Sequence, residues 1–165
     1  MMKEHVVEAV NRQIQAEFNA AHKYLAMAAR FEQMKLRGAA QWMRVQWREE
    51  IEHGMKFFEF LIRRGEDPQL RTIEKPDVSF DKAIDAFRMS LENERSVTQM
   101  INELYDLAVK EGDYPLQTLL HWFIDEQVEE EEAVEEIIDS LTLAGDTGEG
   151  LLMIDRELGQ RTAAA

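Results

Sequence analysis

Four long stretches of this chain return apolar residues to one face at alternating spacings of three and four, and every one of these seams fails near its middle. The spacing marks amphipathic helices packed around a shared core. The first seam reads Val7, Val10, Ile14, Glu17, Ala21, Tyr24, Ala28, Phe31. The second reads Met43, Gln46, Glu50, His53, Phe57, Phe60, and the third Ile84, Phe87, Leu91, Glu94, Thr98, Ile101, Tyr105, Ala108. The fourth reads Leu116, Leu120, Phe123, Gln127, Glu130, Val134, Ile137, Leu141. Glu17, Glu50, His53, Glu94, Gln127 and Glu130 stand where aliphatic residues belong. Each lies within about four residues of its helix centre, or roughly 6 Å along the axis. Aligned helices, parallel or antiparallel, therefore bring all six into one layer.

A carboxylate buried in such a layer must be neutralised by a proton, a partner or a metal. No Lys or Arg interrupts the middle of any seam. Glu17, Glu50, Glu94 and Glu130 together carry four negative charges, which two divalent cations would balance. Carboxylate oxygens with one imidazole suit Fe(II), and also admit Zn(II), Co(II) and Mn(II). One glutamate in a seam, or Glu50-x-x-His53 alone, would be a weak signal. The same lapse at the same level in all four helices is the specific one.

The segment boundaries follow from helix stops and starts. The first helix is expected from about Glu4 to Gln33, and the second from about Ala39 to Arg64 with Gly65 as its stop. The third is expected from about Asp81 to Lys110, capped by Ser79 or Asp81 and stopped by Gly112. The fourth opens at Pro115, a residue suited to a first helical position, and ends near Ala144-Gly145. A short fifth helix, about Glu149 to Leu158, carries Leu151, Leu152, Ile154 and Leu158, and the tail from Arg161 to Ala165 is expected to fray.

The first two and the last two long helices are joined by a few residues each, so each pair forms an antiparallel hairpin. Between the second and third lies a segment, Glu66 to Phe80, whose extended reach of about 50 Å exceeds the roughly 40 Å of a helix of this length. It can run the full height of a bundle. The fold class is therefore all-α: one domain over residues 1–165, a four-helix bundle (about 4–144) with one long crossover, plus the short fifth helix (about 149–158). The fifth helix is not needed to close a four-helix core, so its apolar residues are expected at a contact between subunits.

The 165 residues suffice for one core without cross-links. There is no cysteine, which excludes disulfides, thiolate metal sites and cysteine nucleophiles. With 33 acidic against 19 basic residues and a formal charge of −14, the chain is a poor partner for nucleic acid and a good one for cations. No apolar run approaches the roughly 18 residues of a membrane span, and Met1 to Gln13 lacks the apolar stretch of a signal peptide. A cytoplasmic location is the expectation.

Several stretches carry a family resemblance: Asn11-Arg12-Gln13 through Glu17, Tyr24-Leu25, Trp42-Met43-Arg44-Val45-Gln46-Trp47-x-Glu49-Glu50-x-x-His53, Glu94, and Trp122-Phe123-x-x-Glu126-Gln127-Val128-Glu129-Glu130-Glu131. On these residues the chain resembles the non-haem ferritins of bacterial and archaeal type, over nearly its whole length. The resemblance implies that Glu17, Glu50 and His53 hold one iron, and that a bridging Glu50 with Glu94 and Glu130 holds a second. It implies places beside the pair for Gln127, which would face a bound oxygen species or simply pack there, and for Tyr24, as a neighbour or electron donor. It implies a third iron site formed by Glu49, Glu126 and Glu129 with Glu130. The alternative for that cluster is a solvated acidic face.

The ferritin-like class has members with Glu-x-x-His on two helices. Here the fourth helix offers Gln127-x-x-Glu130 instead, which fits the non-haem branch, and no methionine stands where a haem ligand would. Rubrerythrins need cysteines. Mini-ferritins build their site across two subunits from two helices, whereas here all four helices supply ligands. The stretch Leu116 to His121 lacks the carboxylates that line a threefold channel in animal ferritins. Asp146 to Gly150 lacks the basic residues of an open-shelled archaeal relative, so a closed cage of 24 subunits is expected. His5, His22 and His121 receive no metal role.

The resemblance implies a ferroxidase that oxidises Fe(II) with O2 or H2O2 and stores the ferric product inside an oligomeric shell. Two other readings stay open: a shell subunit or iron buffer without fast oxidation, and a metal-free acidic helical interaction module.

Overall fold

The computed structural model describes residues 1–145 and 148–162. Its regular structure is helical: α1 (Glu4–Gln33), α2 (Arg37–Arg63), α3 (Ala83–Glu111), α4 (Tyr114–Ala144) and α5 (Gly148–Leu158). Among the described residues no helix is long and apolar enough to cross a membrane. Asp146, Thr147 and the last three alanines, on which the expectations of a loop without basic charge and a frayed end partly rest, lie outside the described residues.

The expected stops are present. Gly65 (φ +79°) and Gly112 (φ +66°) take the left-handed conformation that ends α2 and α3. The α1–α2 turn uses Lys35 (φ +66°) in the same position. Its N–H donates to Glu32 O (3.1 Å), and Leu36 N donates to Phe31 O (3.0 Å). Pro115 sits in the first turn of α4, behind Asp113, whose carboxylate accepts from Leu116 N at 3.1 Å.

The start of α3 differs from expectation. It follows Lys82 without a side-chain cap, because Asp81 is engaged by Arg30 of α1 at 3.0 Å. Arg30 also donates to Phe80 O at 3.0 Å, which pins the end of the crossover to α1.

The crossover, residues 64–82, runs along α1 from one end to the other. Met2 N donates to Glu66 at 3.0 Å at the start. Asn11 accepts from Gln69 N (2.8 Å), Gln15 donates to Thr72 O (2.9 Å) and Asn19 accepts from Glu74 N (2.8 Å). These three polar side chains recur every fourth residue along one edge of α1 and satisfy a segment that has no ladder of its own.

Because of this traverse, α2 and α3 run parallel while each hairpin is antiparallel. Two apolar clusters fill the bundle ends. One gathers Val10, Ile14, Phe57, Leu61, Ile101, Leu116 and Phe123. The other gathers Met27, Phe31, Met43, Phe87, Val134 and Leu141, together with Ile154 and Leu158 of α5. The level between them is polar.

Helix α5 packs against α2 and α4. Only part of it faces outward, where Leu152 and Met153 are 53% and 69% exposed. The expected surplus apolar helix is thus half used by its own bundle. Docking is tight at Gly38, where an added Cβ would lie 1.6 Å from the Asp155 carbonyl oxygen, while the Asp155 carboxylate caps α2 at Ala39 N (2.8 Å). This explains why α2 begins at Arg37 rather than Ala39: the glycine in its first turn makes room for α5. Gly38→Ala is expected to undock α5 and to cost about 1–3 kcal/mol by overpacking. Hydrogen exchange over α5 should rise severalfold. Exchange at the wild-type rate would show that the close approach is not needed.

Candidate metal centre

The middle layer holds the six residues that break the seams. Exposure is 0% for Glu17, Glu50 and Glu94, 2% for Gln127, 3% for His53 and 5% for Glu130. They come from all four long helices, at the level where neither apolar cluster reaches. Their ligand atoms form overlapping groups in which all atoms lie within 4.8 Å of one another: Glu17, Glu50 and His53; Glu50, Glu94 and Glu130; and His53, Glu126 and Glu130. Glu50 belongs to the first two, as a bridging residue must.

Neutral donors tie one oxygen each of Glu17, Glu50 and Glu130, and both oxygens of Glu94. Gln13 donates to Glu17 Oε1 at 2.9 Å. Gln46 donates to Glu50 Oε1 (3.0 Å) and to Glu130 Oε2 (2.6 Å). The Tyr24 phenol donates to Glu94 Oε1. Gln127 donates to Glu94 Oε2 (3.3 Å), the Glu94 carbonyl (3.1 Å) and Thr98 Oγ1 (3.1 Å). Gln127 and Tyr24 therefore orient a carboxylate. The Gln127 amide is engaged by protein groups, not aimed at open space.

What remains is a set of buried atoms without partners. Among the described residues, Glu17 Oε2, Glu50 Oε2 and His53 Nδ1 have no hydrogen-bond partner. His53 Nδ1 lies 3.5 Å from Glu50 Oε2 and 3.9 Å from Glu17 Oε2. An orphaned buried acceptor costs about 1–3 kcal/mol, and more when charged. Three of them converging on one point fit a cation held by two carboxylates and an imidazole. On one side His53 is closed in by the Trp122 and Phe123 rings, 5.5 and 5.8 Å away and nearly edge-on.

Electrostatics point the same way. Burial pushes the Glu17 and Glu50 carboxyls well above the ordinary range, and neighbouring carboxylates push them further. Burial also raises Glu94, against the pull of its bonds from Tyr24 and Gln127. Glu130 is raised to about 8 by burial and by Glu94. The Tyr24 phenol is driven well up by burial and by the charge on Glu94. Without positive ions, burial and mutual repulsion favour the protonated forms of these carboxyls. Divalent cations would displace those protons.

The third cluster is arranged differently from expectation. Glu126 Oε1 lies 3.8 Å from His53 Nε2, while Glu129 is exposed and belongs to none of the three ligand groups. Glu49 is paired with Arg161, Nη2 to Oε2 at 2.7 Å. Burial raises the Glu49 carboxyl, and the Arg161 guanidinium pulls it back. Arg161, expected in a fraying tail, is held in place.

A match to the ferritin-like domain covers residues 7–144. The chain belongs to the ferritin family. It is 36% identical over 162 residues to the bacterial non-heme ferritin of Staphylococcus aureus (strain USA300), covering 98% of each chain. The Staphylococcus epidermidis bacterial non-heme ferritin is 40% identical with the same coverage. Among solved structures, an engineered closed form of the Archaeoglobus fulgidus ferritin superposes with a TM-score of 0.97 at 41% identity, covering 99% of this chain and 100% of that one. The open-pore ferritin of the same archaeon gives 0.96 at 41% identity, with 98% and 100% covered. The four-helix bundle with a long crossover and a short last helix is thus the ferritin fold, and the family supports iron storage as the general function.

Gln13, Gln46 and Arg161 were not singled out from the sequence as site residues. For the two glutamines a signal existed: Gln-x-x-x-Glu occurs at Gln13–Glu17 and at Gln46–Glu50, a spacing that places donor and acceptor on one helix face. For Arg161 there was none.

Proposed function

We propose that this ferritin takes up two Fe(II) ions as substrate at adjoining positions in the bundle, oxidises them with O2 or H2O2, and passes the product to a mineral store inside a shell of 24 subunits. The observation that carries the reading is the convergence of the orphaned Glu17, Glu50 and His53 atoms beside a second carboxylate group that shares Glu50.

Glu17, Glu50 and His53 hold one ion, and Glu50, Glu94 and Glu130 the other. Four carboxylates against two divalent ions leave no net charge in the layer. Oxidation raises the ionic charge, which hard anionic oxygens stabilise further, so the site favours the oxidised pair. Each iron gives up one electron, and O2 with two protons leaves as H2O2, or H2O2 with two protons leaves as two waters. Adjacency makes this two-electron reduction accessible in one encounter. Gln13, Gln46, Tyr24 and Gln127 keep the carboxylates aimed inward before the ions arrive.

Crystals soaked in Fe(II) should show two anomalous peaks at the iron edge, one beside Glu17, Glu50 and His53 and one beside Glu50, Glu94 and Glu130. A map with no peak between the helices would overturn the reading.

A further inference from the structure

One amide joins two carboxylates that reach the centre from different helices. Gln46 is fully buried, and its NH2 group donates to Glu50 Oε1 of α2 at 3.0 Å and to Glu130 Oε2 of α4 at 2.6 Å. A side-chain amide has two N–H donors at one end and a carbonyl acceptor at the other. Both donors are spent here, one on each carboxylate. Inverted, the amide would set its oxygen against two carboxylate oxygens.

The outer end of the same amide is met from far along the chain. Arg161, beyond the end of α5, donates from Nη1 to Gln46 Oε1 at 3.0 Å and from Nη2 to Glu49 Oε2 at 2.7 Å. Its guanidinium also stacks 4.4 Å from the centre of the Trp42 ring. A guanidinium carries donors only, so it accepts the oxygen end of an amide as neighbour and excludes the NH2 end.

We propose that Arg161 is a positioning residue for the second ion: it locks the Gln46 amide with its NH2 group inward, and so sets the spacing and aim of Glu50 and Glu130. The inference rests on the paired-site reading above. Without the guanidinium, the outer end of the amide would face the Glu49 carboxylate, an acceptor that favours the NH2 end. The amide would turn, and Glu50 and Glu130 would lose their shared donor. Glu17 keeps its bond from Gln13, and Glu94 keeps those from Tyr24 and Gln127. The second position has two of its three ligands, Glu50 and Glu130, hanging on Gln46, and the first has one, Glu50. Loss of Arg161 therefore falls mainly on the second.

The test titrates the full chain with Co(II), which suits the same oxygen and imidazole donors. Visible absorption gives the affinities, and anomalous peaks at the cobalt edge, in crystals soaked at graded Co(II), assign each to a position. Arg161→Ala is expected to weaken the second position about 10–100-fold, the range for groups that support metal ligands, and the first no more than about threefold. A loosened bundle would weaken both alike, so the split reports on positioning and not on stability. Gln46→Met removes the amide at similar length. In that background Arg161→Ala should change neither affinity, because the effect runs through the amide. Wild-type affinities in Arg161→Ala, equal losses at both positions, or the same effect of Arg161→Ala with and without Gln46→Met would each overturn this role while leaving the pair intact. Fewer than two ions in the wild type would instead overturn the paired-site reading, and the role of Arg161 with it.

Discussion

Replacing Glu50 and His53 together by alanine is expected to slow Fe(II) oxidation by at least about 100-fold, since even the groups that merely support metal ligands are worth 10–100-fold. Glu50 belongs to the ligand groups of both proposed iron positions, and His53 supplies the imidazole of the first. Their removal leaves neither position with its full donor set. Stopped-flow absorption of the ferric product is the direct measurement, with anaerobic Fe(II) binding as its companion. Oxidation at wild-type speed would refute the ferroxidase reading and leave a passive store. Glu50→Gln separates function from folding. The amide keeps the shape but cannot carry charge, so oxidation should fall while the metal-free protein gains stability at pH 8. A ligand that served only to hold the bundle together would lose both.

Stability of the metal-free protein should fall as pH rises from about 5 to 8. The sign follows from linkage. Glu17, Glu50, Glu94 and Glu130 are all raised above the ordinary value of 4.5 by burial, Glu130 to about 8. Between those limits the native chain binds more protons than the unfolded one. The stabilisation is therefore complete below pH 4.5 and lost as pH climbs through the native values. For Glu130 alone the shift corresponds to about 5 kcal/mol at most. Glu8 and Glu111, lowered by their bonds from Arg71 and Lys3, act below pH 4.5 and do not offset this trend.

Saturating Zn(II) should abolish or reverse the slope, because the ion takes the ionised carboxylates and competes with protons. Thermal midpoints at pH 5, 6.5 and 8, with and without Zn(II) and at one protein concentration, check both halves. A metal-free protein at least as stable at pH 8 as at pH 5 would mean that the four carboxylates do not share a dry layer.

The long helices, their glycine stops, Pro115 at the head of α4 and the crossover were legible in the chain. So was the central layer. Burial periodicity is a local property of each helix, and a glutamate in a seam is conspicuous because its desolvation is expensive wherever the helix docks. Membership in one layer then follows from helix length alone. The boundaries were less legible. Gly38 reads as a break until α5 is seen lying on it, and Asp81 reads as a cap until Arg30 takes it.

The sequence by itself therefore determined that four acidic seams meet at mid-height of a bundle with one long connection. Only the tertiary structure decided which oxygens are tied and which are left open. That depends on the rotation of each helix about its axis and on donors far apart in the chain: Tyr24 reaches across 70 positions to Glu94, and Arg161 across 115 to Gln46. Such contacts have no period and no local cost to betray them. They arise when packing places two polar ends within hydrogen-bond range and water has been excluded.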